Sequence, residues 1–109
     1  MTFKHPIDGF YHDLPAEDGE YWASKLIRHS YATFHAGAAS AAWKTIPSSY
    51  LICEDDRAIK PDVQEFMVKA CQALGSKMAT ERLFSSHSPF LAKPDATVGF
   101  LRRAAGEEV

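Results

Sequence analysis

The 109 residues predict a small α/β domain built on parallel strands, and three observations carry that expectation. The apolar run Tyr50-Leu51-Ile52-Cys53 is bounded by Pro47 and by acids, as in a strand buried on both faces. Residues 62–74 place Val63, Phe66, Met67, Ala70, Cys71 and Leu74 on the i, i+3, i+4, i+7, i+8, i+11 template of an amphipathic helix. Residues 78–84 then alternate Met78, Thr80, Arg82 and Phe84 against Ala79, Glu81 and Leu83, and Pro94-Asp95 opens a further helix through about Ala105. Strand, helix, strand, helix implies parallel pairing through a right-handed crossover.

The segment ahead of this unit is less regular. Residues 1–12 carry Pro6, Gly9 and several aromatics without a clear period and read as a loop laid against something else. Asp13, with Pro15, Glu17, Asp18 and Glu20 behind it, reads as a helix start: a capping acid, a proline in the first turn, and anions at the positive end of the dipole. That helix should run to about Arg28, with a short stripe of Tyr21, Trp22, Leu26 and Ile27. Residues 30–42 are rich in alanine and read as irregular or weakly helical. Gly75 stops the helix over residues 62–74.

Composition excludes several function classes. An apolar fraction of 46 % with 24 % charged residues belongs to a globular chain. The formal charge of -2 and scattered lysines and arginines leave no basic footprint for nucleic acid. No apolar run approaches the ~20 residues that span a bilayer, and the N-terminus has no signal-peptide core, so no membrane partner is expected and the default location is cytoplasmic. Cys53 and Cys71 sit in apolar settings and read as free core thiols.

In a parallel sheet, chemistry gathers at the C-terminal strand ends, where Asp55, Asp56 and His87 fall. A histidine acting as general base needs a carboxylate on one ring nitrogen and a proton donor on the other. Neighbouring parallel strands lie about 4.8 Å apart, so loops leaving one edge can bring an aspartate to a histidine ring. No Gly-x-Ser-x-Gly turn occurs in these residues, so the nucleophile of a serine triad has no candidate here. Ser85, Ser86 and Ser88 adjoin the histidine but lack the strained strand-to-helix turn that a nucleophilic serine needs.

Three segments resemble the α/β-hydrolase family, in its branch of small esterases and hydroxynitrile-lyase-like enzymes with many fungal members. Glu54-Asp55-Asp56-Arg57-Ala58-Ile59, with Gln64 downstream, is similar to the acid loop of that branch. Ser86-His87-Ser88-Pro89-Phe90-Leu91 is similar to its histidine loop, and Phe10-Tyr11-His12-Asp13-Leu14-Pro15 through Trp22 to its lid. The resemblance implies that Asp56, the aspartate before the Arg-Ala-Ile turn, is the triad acid, with Asp55 as the fallback, and that His87 is the general base. It implies a lid-like helical segment over residues 1–45 and the C-terminal strand-helix-strand-helix part of the hydrolase core over residues 46–109. Lys60, between Ile59 and Pro61, departs from the family pattern and would re-aim the acid loop slightly.

The implied function is therefore that of a C-terminal portion of a carboxylic ester hydrolase, inactive without a serine supplied from elsewhere and taking a small ester only when completed. The alternatives are a non-catalytic module that pairs with a larger hydrolase chain and a truncated gene product. Exposed strand edges and an apolar helix face would favour self-association or pairing through the sheet edge. No cofactor is expected: the Glu54-Asp55-Asp56 cluster reads as a solvated strand end before it reads as a cation site, and His5, His12, His29 and His35 have no metal-ligand spacing. Phe66, Met67 and the lid aromatics are expected to pack, with Phe10, Trp22 and Phe34 as pocket lining in a complete enzyme.

Overall fold

The computed structural model describes residues 5–109. Its centre is a pair of parallel strands, β1 (Ser48–Cys53) and β2 (Met78–Leu83), joined by helix α3 (Pro61–Ala73). The strands pair in register from Ser48 opposite Met78 to Cys53 opposite Leu83. The ladder continues one step beyond the strands, since the Glu54 N–H donates to the Leu83 carbonyl at 2.9 Å and the Asp55 N–H to the Ser85 carbonyl at 3.0 Å.

Helix α3 begins on Pro61, which fixes φ for the first turn and lacks a donor that would be unpaired there. It ends in a Schellman turn in which Gly75 takes φ +95°. The Ser76 N–H reaches the Cys71 carbonyl at 3.1 Å and the Gly75 N–H reaches the Gln72 carbonyl at 3.0 Å.

Short helices flank this unit. Residues 6–10 do not lie as a loop: α1 (Pro6–Phe10) is followed by α2 (Ala16–Ser24). Met1 to Lys4, part of the stretch expected to be a loop, lie outside the described residues. The two helices approach closely at Gly19, where an added Cβ would stand 3.3 Å from Ile7 Cγ2. Helix α2 starts later and stops earlier than the sequence pattern suggests, and its first turn has no side-chain cap. Asp13 is not the cap because its carboxylate is used across the fold, on the Ser86 N–H at 2.8 Å. Residues between α2 and β1 form only two 3-10 turns, Tyr31–Phe34 and Ala42–Lys44. The chain closes with α4 (Pro89–Ala92) and α5 (Pro94–Ala104). Among the described residues no helix is long and apolar enough to cross a membrane.

The core is small, and two packing expectations are corrected. Strand β1 is not buried along both faces: only Ile52 and Cys53 are fully buried, because β2 is its one neighbour in the described sheet. Helix α3 does not bury the apolar stripe picked out by its period. Gln64 and Val68 are its buried residues, whereas Val63, Met67 and Leu74 are exposed and Phe66 is 73 % exposed. Cys71 is intermediate. A polar residue wins the inward position because Gln64 is hydrogen-bonded at every polar atom, as described next.

Candidate active site

The loops that leave β1 and β2 at their C-terminal ends carry the site. Three residues past Cys53, the Asp56 side chain turns inward and is 6 % exposed as a residue. Its Oδ1 accepts the N–H groups of Ala58 at 2.8 Å and Ile59 at 3.0 Å, an Asx-type turn that reverses the loop toward α3. Its Oδ2 accepts from Nδ1 of His87 at 2.9 Å. A carboxylate only accepts, so the ring proton of a neutral His87 sits on Nδ1 and leaves Nε2 as a base. The loop after β2 sets the other side of the pair: His87 lies four residues past Leu83 and just ahead of Pro89, where α4 begins.

Gln64 supports the acid from below. Its Oε1 accepts the Cys53 N–H at 2.9 Å, and its Nε2 donates to the carbonyls of Ile59 at 2.7 Å and Cys53 at 3.0 Å, with Asp56 Oδ2 a longer third partner at 3.3 Å. One amide thus ties the end of β1, the acid and the loop into α3 together. Lys60 does not disturb this bridge; it is exposed and stands just before α3 as its N-cap residue.

The neighbouring acids go elsewhere. Glu54 pairs with Arg82 at 3.3 Å, and Asp55 accepts from His12 Nε2 at 2.9 Å. The fallback acid is therefore committed to a different histidine, and the three acids diverge instead of converging on one point. Ser85 and Ser86 are fully buried, with Ser85 Oγ donating to the Ser86 carbonyl at 3.0 Å and Ser86 Oγ to the Phe10 carbonyl at 3.3 Å. Neither stands free beside His87 Nε2.

A cavity of about 660 Å³ opens at His87. Phe10, Leu26, Ile27, Phe34 and Ile59 make its wall mostly apolar, with Arg28 and His29 also in the lining. The Phe10 ring lies 5.3 Å from the imidazole, centroid to centroid. Phe10 and Phe34 thus take part in the cavity, while Trp22 stacks edge-on against Tyr21 at 5.0 Å and is not in its lining. Burial raises the Cys53 thiol pKa, and the nearby Asp56 and Asp13 charges push it the same way against the pull of Ser85. Cys53 is therefore held as a neutral thiol, without the character of a nucleophile.

The signals missed in the sequence are His12, Asp13 and the inward turn of Gln64. Asp13 has the pattern of a helix cap, and His12 stands out only as lacking a metal-ligand spacing. Gln64 had one pointer, its place downstream of the acid loop in the resemblance.

Two parallel strands, with a buried acid hydrogen-bonded to a histidine beyond their C-terminal ends, define an α/β protein of hydrolase type. The model of the alpha/beta hydrolase family matches residues 2–100, and the chain belongs to that family. It is 42 % identical over 89 residues to the alpha/beta hydrolase nvfD of Aspergillus novofumigatus, covering 81 % of this chain and 34 % of that protein. It is 30 % identical over 82 residues to the probable hydrolase R7 of a Phoma species, covering 74 % of this chain and again 34 % of the relative. The chain thus spans about a third of the length of these curated relatives.

Proposed function

We propose that Asp56 and His87 are the acid and general base of a serine hydrolase for small carboxylic esters, with the serine outside these 109 residues. The observation that carries this reading is the 2.9 Å contact between Asp56 Oδ2 and His87 Nδ1, with His87 in the lining of a mostly apolar cavity. In the first half-reaction Nε2 takes the proton of the serine hydroxyl as its oxygen bonds to the ester carbonyl carbon. The resulting imidazolium is held by the Asp56 carboxylate and returns the proton to the leaving alkoxide as the ester bond breaks. Water repeats the cycle on the acyl-serine. The cavity wall of Phe10, Leu26, Phe34 and Ile59 suits an uncharged apolar acyl or alcohol group.

The 109-residue chain by itself is expected to leave p-nitrophenyl acetate and butyrate untouched. The test is turnover of these esters by the purified chain beside its His87→Ala variant. Turnover that disappears in the variant would place a nucleophile inside these residues and overturn the assignment of the serine.

A second reading is favoured by one feature, the exposed apolar line on α3 at Val63, Phe66, Met67 and Leu74. Such a line on a helix marks a surface made to be covered. On this reading the chain joins a larger hydrolase polypeptide or a copy of itself through α3. Phe66→Asp should then abolish concentration-dependent association in sedimentation velocity; association unchanged by Phe66→Asp would exclude this face.

A further inference from the structure

We infer that His12 and Asp13, consecutive residues in the turn between α1 and α2, are positioning residues that clasp the acid loop to the histidine loop. The inference rests on the reading of Asp56 and His87 as the acid and base. His12 Nε2 donates to Asp55 Oδ2 at 2.9 Å, one residue before the acid. Asp13 Oδ2 accepts the N–H of Ser86 at 2.8 Å, one residue before the base. The end of α1 supplies the Phe10 carbonyl to the Ser86 hydroxyl at 3.3 Å, and that hydroxyl in turn accepts the Ser88 N–H at 3.2 Å. The backbone on both sides of His87 is thus anchored to residues 10–13.

These contacts are partly protected from solvent, the Asp55 side chain being 37 % exposed. The His12 side chain is 9 % exposed and Ser86 is fully buried. In that setting a hydrogen bond holds its geometry better than on a wet surface, and its loss leaves a buried donor without an acceptor. The strand ladder stops at Asp55 and Ser85, so beyond that point nothing in the sheet fixes the two loops relative to each other. The clasp acts where the ladder ends and ahead of the two side chains that must meet. A 1 Å displacement of a base is enough to lose about 10²-fold in rate, which is the scale on which such a clasp matters.

The clasp also carries an asymmetry. His12 Nδ1 and Asp13 Oδ1 are buried and have no hydrogen-bond partner among the described residues. Each residue therefore uses one polar atom to reach a loop and buries the other.

The test reads the His87 ring directly in the 15N-labelled chain. Long-range proton–nitrogen spectra report which ring nitrogen carries the proton, and amide exchange reports the Ser86 N–H. Asp56→Ala sets the limit in which the pair is lost. Asp13→Ala should move the His87 ring signals more than halfway to that limit and speed Ser86 exchange by about tenfold or more. Asp13→Asn, whose amide oxygen keeps an acceptor for Ser86, should restore both.

His12→Ala and Asp55→Ala should each shift the His87 ring without changing Ser86 exchange. They also decide the matter if Asp13→Ala does not fold. Ring signals that stay at their wild-type positions in His12→Ala and Asp55→Ala, and in any folded Asp13→Ala, would overturn the clasp. An unchanged ring in Asp56→Ala would instead overturn the pair itself, which keeps the two failures apart.

Discussion

Asp56 Oδ2 stands 2.9 Å from Nδ1 of His87, while the other oxygen of the same carboxylate holds the N–H groups of Ala58 and Ile59. One side chain therefore both shapes its loop and orients the imidazole, and the two roles separate by substitution. Asp56→Asn keeps an oxygen for the two N–H groups but turns an amide donor toward Nδ1, which moves the ring proton to Nε2. Melting should change little, while the His87 tautomer inverts; in a complete hydrolase the rate should fall by about 10⁴-fold. Asp56→Ala removes the acceptor as well and should cost about 2–4 kcal/mol in urea unfolding.

Gln64 is 1 % exposed and bonds to three backbone groups besides Asp56. Gln64→Leu fills the space but leaves the Cys53 N–H and the Ile59 carbonyl without partners, and the Cys53 carbonyl with only the long 3.4 Å contact from the Asp56 N–H. The expected loss is about 2–4 kcal/mol, read from the midpoint of denaturant unfolding, with the His87 ring signals shifted as Asp56 loses its support.

Much of this fold was legible because periodicity and strand order survive in a short sequence. Both strands, α3 and α5 lie where their patterns put them, and Asp56 and His87 fall at neighbouring strand ends as parallel pairing requires. What was not legible depended on partners distant in the chain. Asp13 has the composition of a cap, yet its carboxylate bonds a backbone group 73 positions away. The helix template counts apolar residues, so it could not see that Gln64 goes inward on the strength of hydrogen bonds while Phe66 stays out. Residues 5–10 carry no period long enough to announce a helix of five residues.

The two thiols should differ in reactivity. Cys53 is buried and its pKa is pushed up, first by burial and then by the charges of Asp56 and Asp13, whereas Cys71 is intermediate in exposure. With iodoacetamide at neutral pH, Cys71 should be carboxamidomethylated well before Cys53, as read by peptide mass spectrometry. Faster labelling of Cys53 would mean that the end of β1 opens readily.

The Arg103 guanidinium, bonded to Glu81 at 2.7 and 3.1 Å, holds that carboxyl below its ordinary range. A depressed carboxyl contributes stability above its unfolded value of about 4.3, and the contribution is lost as pH falls through the lower folded value. Arg103→Gln should return the Glu81 carboxyl carbon titration to the ordinary range. Because the pair is exposed, the stability curves of the two proteins should differ only slightly at neutral pH and merge in acid.

Fluorophosphonate labelling of the protein isolated from its source, with and without His87→Ala, bears most directly on the role given to Asp56 and His87. We expect one serine outside these 109 residues to be labelled, and the labelling rate to fall by about 10³-fold or more in the variant. No labelling at all, labelling at Ser85, Ser86 or Ser88, or a rate unchanged by His87→Ala would contradict it.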